Sequence, residues 1–152
     1  MAGITSALCT SFKVELLEGD HDFNNGADAF KVALFKANAS ITGTYDAGTT
    51  NYSDVTGNSD ELPNGSGYTT GGYALTNVNP TSGGTTAFTD FSANAQWTSA
   101  TFTTRGCIIY NTSDGNSAVA VINFGADYSV SGGTFEIQWP TADSSNAIIR
   151  IA

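Results

Sequence analysis

From Tyr73 to Ala152 the chain is a succession of short apolar runs, each cut off by Gly, Asn, Asp, Ser or Pro. The spacing of these breaks, roughly 8–12 residues, leaves little room for helices and calls for strands joined by turns. GYALTNV (72–78), TTAFTDF (85–91), AQWTSATFTT (95–104), GCIIYN (106–111), AVAVINFG (118–125) and TFEIQW (134–139) read as strands, and AIIRIA (147–152) closes the chain. In TFEIQW, Phe135, Ile137 and Trp139 share one face while Thr134, Glu136 and Gln138 share the other. That two-residue period belongs to a strand with one face in a core. Pro140 then ends it, having no N–H to give to a ladder. Upstream, AFKVALFKA (29–37) adds a further apolar strand. About seven or eight strands at this spacing predict a mainly β fold, an antiparallel β-sandwich of jelly-roll or Ig-like type, as a single domain over residues 1–152.

The N-terminus breaks the pattern. Ile4, Leu8, Phe12 and Leu16 recur at every fourth position and Leu17 widens the stripe. This predicts one N-terminal α-helix over residues 5–18, capped by Thr5 or Ser6 and stopped at Gly19. Residues 38–72 are dense in Thr, Gly, Asn, Ser and Asp. A connection that long inside a compact domain is functional, flexible, or conceals a short irregular strand near residues 45–53. Its Tyr45, Tyr52 and Tyr68 are expected at the surface, where tyrosines anchor interfaces. With Ile4, Leu8 and Phe12 of the helix, they form the expected partner contacts.

Charge narrows the function. Charged residues are only 12% of the chain, and the net charge is −9, with Lys and Arg numbering five against fourteen Asp and Glu. Such a chain is repelled by phosphate backbones and by anionic membranes, so neither nucleic acid nor membrane is an expected partner. No apolar run reaches the length of a membrane span. The first twenty residues lack the basic region and long apolar stretch of a secretory signal, which predicts assembly in a cytoplasm.

Chemistry is scarce. His21, the single histidine, lies between Asp20 and Asp22. Neighbours in a turn rarely converge on one point, so a solvated turn histidine is expected and a zinc ligand is not. Asp20, Asp22, Asn24, Asn25 and Asp28 offer oxygens to calcium, but their spacing does not match an EF-hand loop. Cys9 and Cys107 are too few for a disulfide framework and are expected reduced and buried. No GxSxG, P-loop or helix-opening GxGxxG is present. Glu136 is expected solvated, and Trp97 and Trp139 are expected in the core. Asp114-Gly115 lies between two apolar runs and predicts a hairpin, with Arg105 where the strand leaves the core. No catalytic residue, cofactor or metal is expected, and the chain does not read as an enzyme.

Taken together, TSFKVELLEGDHDF, FKVALF, GYTTGGYALTNV, QWTSATFTTRGCIIYN, AVAVINFG and FEIQWPTADSSNAIIRIA resemble small virion structural proteins of tailed bacteriophages, most closely the capsid decoration or cement type. The resemblance implies a β-rich homo-oligomer, expected as a trimer, bound to other copies of itself and to a major capsid protein in the virion. Alternatives are a tail, baseplate or head–tail connector protein, or a carbohydrate-binding adsorption module using the loop tyrosines.

Overall fold

The computed structural model describes residues 3–37 and 39–152, without the side chains of Ser40 and Ile41. Met1, Ala2 and Asn38, the first residue of the expected long loop, lie outside the described residues. In chain order the elements are β1 (Gly3–Ile4), β2 (Ala7–Leu8), α1 (Thr10–Glu18), β3 (Phe30–Lys36), α2 (Ala39–Thr42), β4 (Thr44–Tyr45), α3 (Ser53–Gly57), β5 (Tyr73–Ala74), β6 (Thr81–Gly83), β7 (Thr86–Thr89), β8 (Ala95–Asn111), β9 (Ser117–Ile137) and β10 (Ile149–Ile151). The fold is mainly β. A five-stranded sheet runs β2-β9-β8-β3-β5 and a three-stranded sheet runs β10-β7-β6, both antiparallel, while β1 and β4 pair in parallel.

The apolar runs 106–111 and 118–121 face each other across the predicted hairpin, and the register closes at Asn111 opposite Ser117. The Ser117 N–H donates to the Asp114 carbonyl at 2.9 Å. Positive φ falls on Gly115 (53°) and Asn116 (67°), one residue beyond the expected pair. Both strands outrun their sequence limits. The segment 95–104 and the segment 106–111 form one strand, with the register shifting between Thr104 and Gly106. A side chain at Gly106 would stand 2.4 Å from the Ile122 carbonyl, so only glycine lets the strands close there. The Thr104 hydroxyl donates to the Phe35 carbonyl at 2.7 Å, satisfying backbone where β3 also shifts register.

Val32, Ala33, Leu34 and Phe35 are fully buried, so the sheet is covered on both faces. Side chains alternate along β3. Phe30 stacks on Phe23 at 4.4 Å and meets Phe91 at 6.2 Å. On the opposite face Phe35 stacks on Tyr45 at 4.8 Å, and Tyr110, opposite Lys31, stacks on Tyr52 at 4.3 Å.

The N-terminal prediction is corrected. Ile4 pairs with Tyr45 on β1 and Leu8 with Ala120 on β2, and the helix begins only at Thr10, with Cys9 as an extended N-cap residue. The fourfold spacing is a coincidence of two strands followed by a helix. Tertiary bonds override it: Cys9 N–H donates to Val119 O at 3.0 Å and Thr10 N–H to Ala47 O at 2.7 Å. Gly19 ends the helix as expected, in a left-handed conformation with φ 88°. The segment 38–72 is not a plain loop either, since it contains α2, β4 and α3. It returns to the sheet at Gly72, whose φ is +78° and whose added Cβ would lie 2.0 Å from the Val32 carbonyl.

Gly72→Ala is therefore expected to cost more than about 3 kcal/mol, through strain and a backbone clash together. Gly84→Ala also has positive φ but opens onto empty space; it should cost about 1 kcal/mol. Urea denaturation of the two variants checks the difference.

Candidate functional site

His21 is buried, which corrects the solvated-turn expectation. Helix α1 brings Glu15 to one side of the ring and the end of β8 brings Asn111 to the other. His21 Nε2 lies 2.9 Å from Glu15 Oε2, and Nδ1 lies 2.9 Å from Asn111 Nδ2. Phe12 packs on the ring at 5.0 Å. Glu15, His21 and Asp114 place ligand atoms within 4.8 Å of one another, a grouping that resembles a metal site. The hydrogen bonds oppose that use. Asn111 Nδ2 also donates to Asp28 Oδ2 at 2.8 Å and its Oδ1 accepts from Ser113 N, which fixes the amide. Nδ1 of His21 is thus an acceptor and Nε2 carries the proton, whereas a metal on Nε2 requires a proton on Nδ1. The residues of the calcium alternative are likewise engaged in hydrogen bonds. Asp22 Oδ1 accepts from Asn24 N and Nδ2, and Asp28 Oδ2 accepts from Asp22 N, so these carboxylates close their own turn.

The tyrosines expected at the surface face inward. Tyr45 and Tyr68 are buried and Tyr52 is half-buried. They surround Asp60 and Glu61, adjacent acids of the 38–72 segment that are both buried. Tyr45 Oη donates to Asp60 Oδ2 at 2.5 Å, and Lys36 Nζ sits 3.3 Å from Asp60 Oδ1. Glu61 accepts from Tyr52, from Tyr68 at 2.7 Å and from Gly71 N at 2.7 Å. Buried carboxylates require such donors. Sequence reasoning missed this network because Asp60-Glu61 looked like any acidic pair in a polar stretch. The buried Leu62 beside it was the available signal.

Burial, together with the adjacent carboxylates, pushes the Tyr45, Tyr52 and Tyr68 hydroxyls above their ordinary range. Tyr110 is pushed up to about 12 by burial and then by Glu61. Cys9 and Cys107 are free and buried. Burial, then Glu15, raises the Cys9 thiol to about 12, and burial alone raises Cys107. Neither is an activated nucleophile. Asp90 is raised by burial and accepts from Phe91 N and Ile148 N, anchoring the C-terminal segment. Glu136 is held below the usual carboxylate range by the Gln96 and Gln138 amides.

The surface carries exposed apolar side chains. Leu17 is 89% exposed, Ile151 58% and Tyr128 52%. A groove of about 370 Å³ is lined by Phe124, Tyr128, Phe135, Ile137, Trp139 and Ile148. Another, of about 400 Å³, lies between α1 and β10 and includes Leu8, Leu16, Leu17 and Ile151. Trp97 is in the core as expected, but Trp139 is half-buried on the first groove, with its Nε1 donating to Ala93 O at 2.9 Å. Of the expected contact residues, Leu8 and the inner side chain of Phe12 line the groove between α1 and β10. Ile4, Phe12, Tyr45 and Tyr68 are inside the chain, and Tyr52 is stacked on Tyr110. No family model, curated protein or solved structure matches this chain.

Two measurements follow from the buried ionisable groups. The tyrosines and thiols hold their protons more tightly folded than unfolded, where they titrate near 10.0 and 9.0. A raised folded pKa leaves their contribution intact below the unfolded value and removes it as pH climbs. The urea midpoint is expected to hold up to about pH 9 and fall toward about pH 12. Separately, a thiol-specific chromogenic disulfide at pH 8 should label neither cysteine in the native protein and both in denaturant, as buried raised-pKa thiols require.

Proposed function

We propose that this chain is a non-enzymatic virion structural protein that decorates or cements a capsid shell. Its partners are other copies of itself and a major capsid protein, and its location is the virion. The observation that carries the reading is the combination of open apolar grooves with an interior whose acids and histidine are committed to structural hydrogen bonds and whose thiols are buried. Contiguous exposed apolar surface is typical of a docking face. The net charge of −9 suits a protein kept outside a DNA-filled space. The sequence resemblance selects the capsid among possible partners. On this reading the five- and three-stranded sheets stack as the layers of a sandwich. The Phe30–Phe91 contact and buried Ile149 support that arrangement.

Tail, baseplate and connector roles need the same surfaces, and copy number separates them from a shell role. Lattice decoration works through avidity, so particles should carry on the order of hundreds of copies. Quantitative mass spectrometry of purified particles reads this directly. A few copies per particle would move the protein to the tail, and no binding to empty capsids would remove the cement role. The carbohydrate-binding alternative needs exposed aromatics, and Tyr128 is the one exposed aromatic among the described residues. A glycan screen with clear hits would favour it.

A further inference from the structure

The far half of the β8–β9 hairpin is a two-stranded ribbon. Strand β3 leaves β8 at Thr104, and β2 reaches β9 only at Ala120 and Val121. The β8 side of the ribbon is plugged by another part of the chain: Thr101 N–H donates to Ser66 O at 2.8 Å, with Gly67 against Ala100. The β9 side, from Tyr128 to Ile137, has no strand partner among the described residues. No Lys, Arg or Pro, residues that commonly block strand addition at a sheet edge, occurs in YSVSGGTFEI.

The side chains along this edge form a pattern that reads alike from both ends. Register with β8 places Tyr128, Val130, Phe135 and Ile137 on one face, opposite Thr104, Phe102, Trp97 and Ala95. Ser129, Ser131 and Glu136 lie on the other, and the Thr103–Ser129 and Gln96–Glu136 hydrogen bonds mark it. Gly132, with φ +64°, is the extra residue of a bulge between Ser131 and Gly133 that restores this alternation. The order is therefore apolar, polar, apolar, polar, Gly-Gly, polar, apolar, polar, apolar. In sequence this pattern suits a hairpin turning at Gly132-Gly133. In the structure the glycines form a bulge instead, both arms stay on β8, and their outer edge is left to pair with something else.

We propose that this edge pairs antiparallel with the same edge of a second copy, across a twofold axis between Gly132 and Gly133. In that register Tyr128 faces Ile137, Val130 faces Phe135, Ser129 faces Glu136 and Ser131 faces Thr134. Apolar meets apolar and polar meets polar at every position, as an isologous contact demands. The two Glu136 residues are then seven residue positions apart, roughly 23 Å, beyond a Debye length at physiological salt. An acidic chain can therefore join here without opposing its charges. The groove containing Tyr128, Phe135 and Ile137 continues the contact beside the backbone ladder. The inference refines the homo-oligomer of the proposed function to a twofold dimer, where the resemblance implies a trimer, and it does not depend on the capsid role.

Sedimentation velocity of the full chain tests it. The wild type is expected to be dimeric at about 100 µM, a concentration that populates even a weak contact. Ser129→Glu, on an exposed position, sets like charges opposite one another twice per dimer. It should weaken association on the order of tenfold, and Ser129→Glu/Glu136→Lys should restore it. Mixing Ser131→Cys chains with Thr134→Cys chains under mild oxidation should give a disulfide-linked dimer, because the buried native thiols do not compete. A wild-type monomer, a trimer indifferent to Ser129→Glu, or a mixture that does not cross-link would each overturn the proposal. A dimer that fails to bind capsids would leave it standing and remove the cement role instead.

Discussion

Strand β3 has no exposed surface between Val32 and Phe35, and most of the chain is arranged by that fact. A sheet buried on both faces needs two covers. Phe23, His21 and Phe12 supply one beside Phe30, and Tyr45 and Tyr52 supply the other over Phe35 and Tyr110. Tyrosine makes a cover only if its hydroxyl finds an acceptor. Asp60 and Glu61 fill that need, and in return the hydroxyls make buried carboxylates tolerable. The 38–72 segment is thus a lid for the sheet, which explains its length without assigning it a ligand.

Binary patterning carried the strands and the hairpin turn well, because alternation and Asp-Gly are local signals. It failed where two local patterns coincide. Ile4, Leu8, Phe12 and Leu16 satisfy a helical period, yet the edge of β9 at Ala120 and the chain at Ala47 claim the first part as strand and cap. The strand limits set at residues 125 and 134 failed for a different reason. Serines and glycines look like loop residues, but a ribbon with one solvated face accepts them. His21 and the tyrosines were misplaced because burial of polar groups depends on partners that no local pattern marks, whether distant like Asn111 or near like Glu61.

The candidate surface was less legible than the fold. Phe12, chosen from an apolar stripe, and Tyr68, chosen as an exposed loop tyrosine, are both core residues, since a large side chain is the first to be buried. Those left exposed, including Leu17 and Tyr128, are set by where elements end and sheets run out of strands. Such limits are properties of topology, and no short motif records them.

The pairing of β2 with β9 has a consequence for synthesis. Ala7 and Leu8 have their partners at Val121 and Ala120, more than a hundred residues later. At the usual pace of translation the N-terminal segment waits roughly ten seconds for that edge to emerge. Until then Leu8, Phe12 and Leu16 have no sheet to lie on, and the five-stranded sheet cannot close. Folding of this chain is accordingly a late event, governed by long-range contacts that form slowly. Through that interval the apolar side chains of Leu8, Phe12 and Leu16 stay open to solvent.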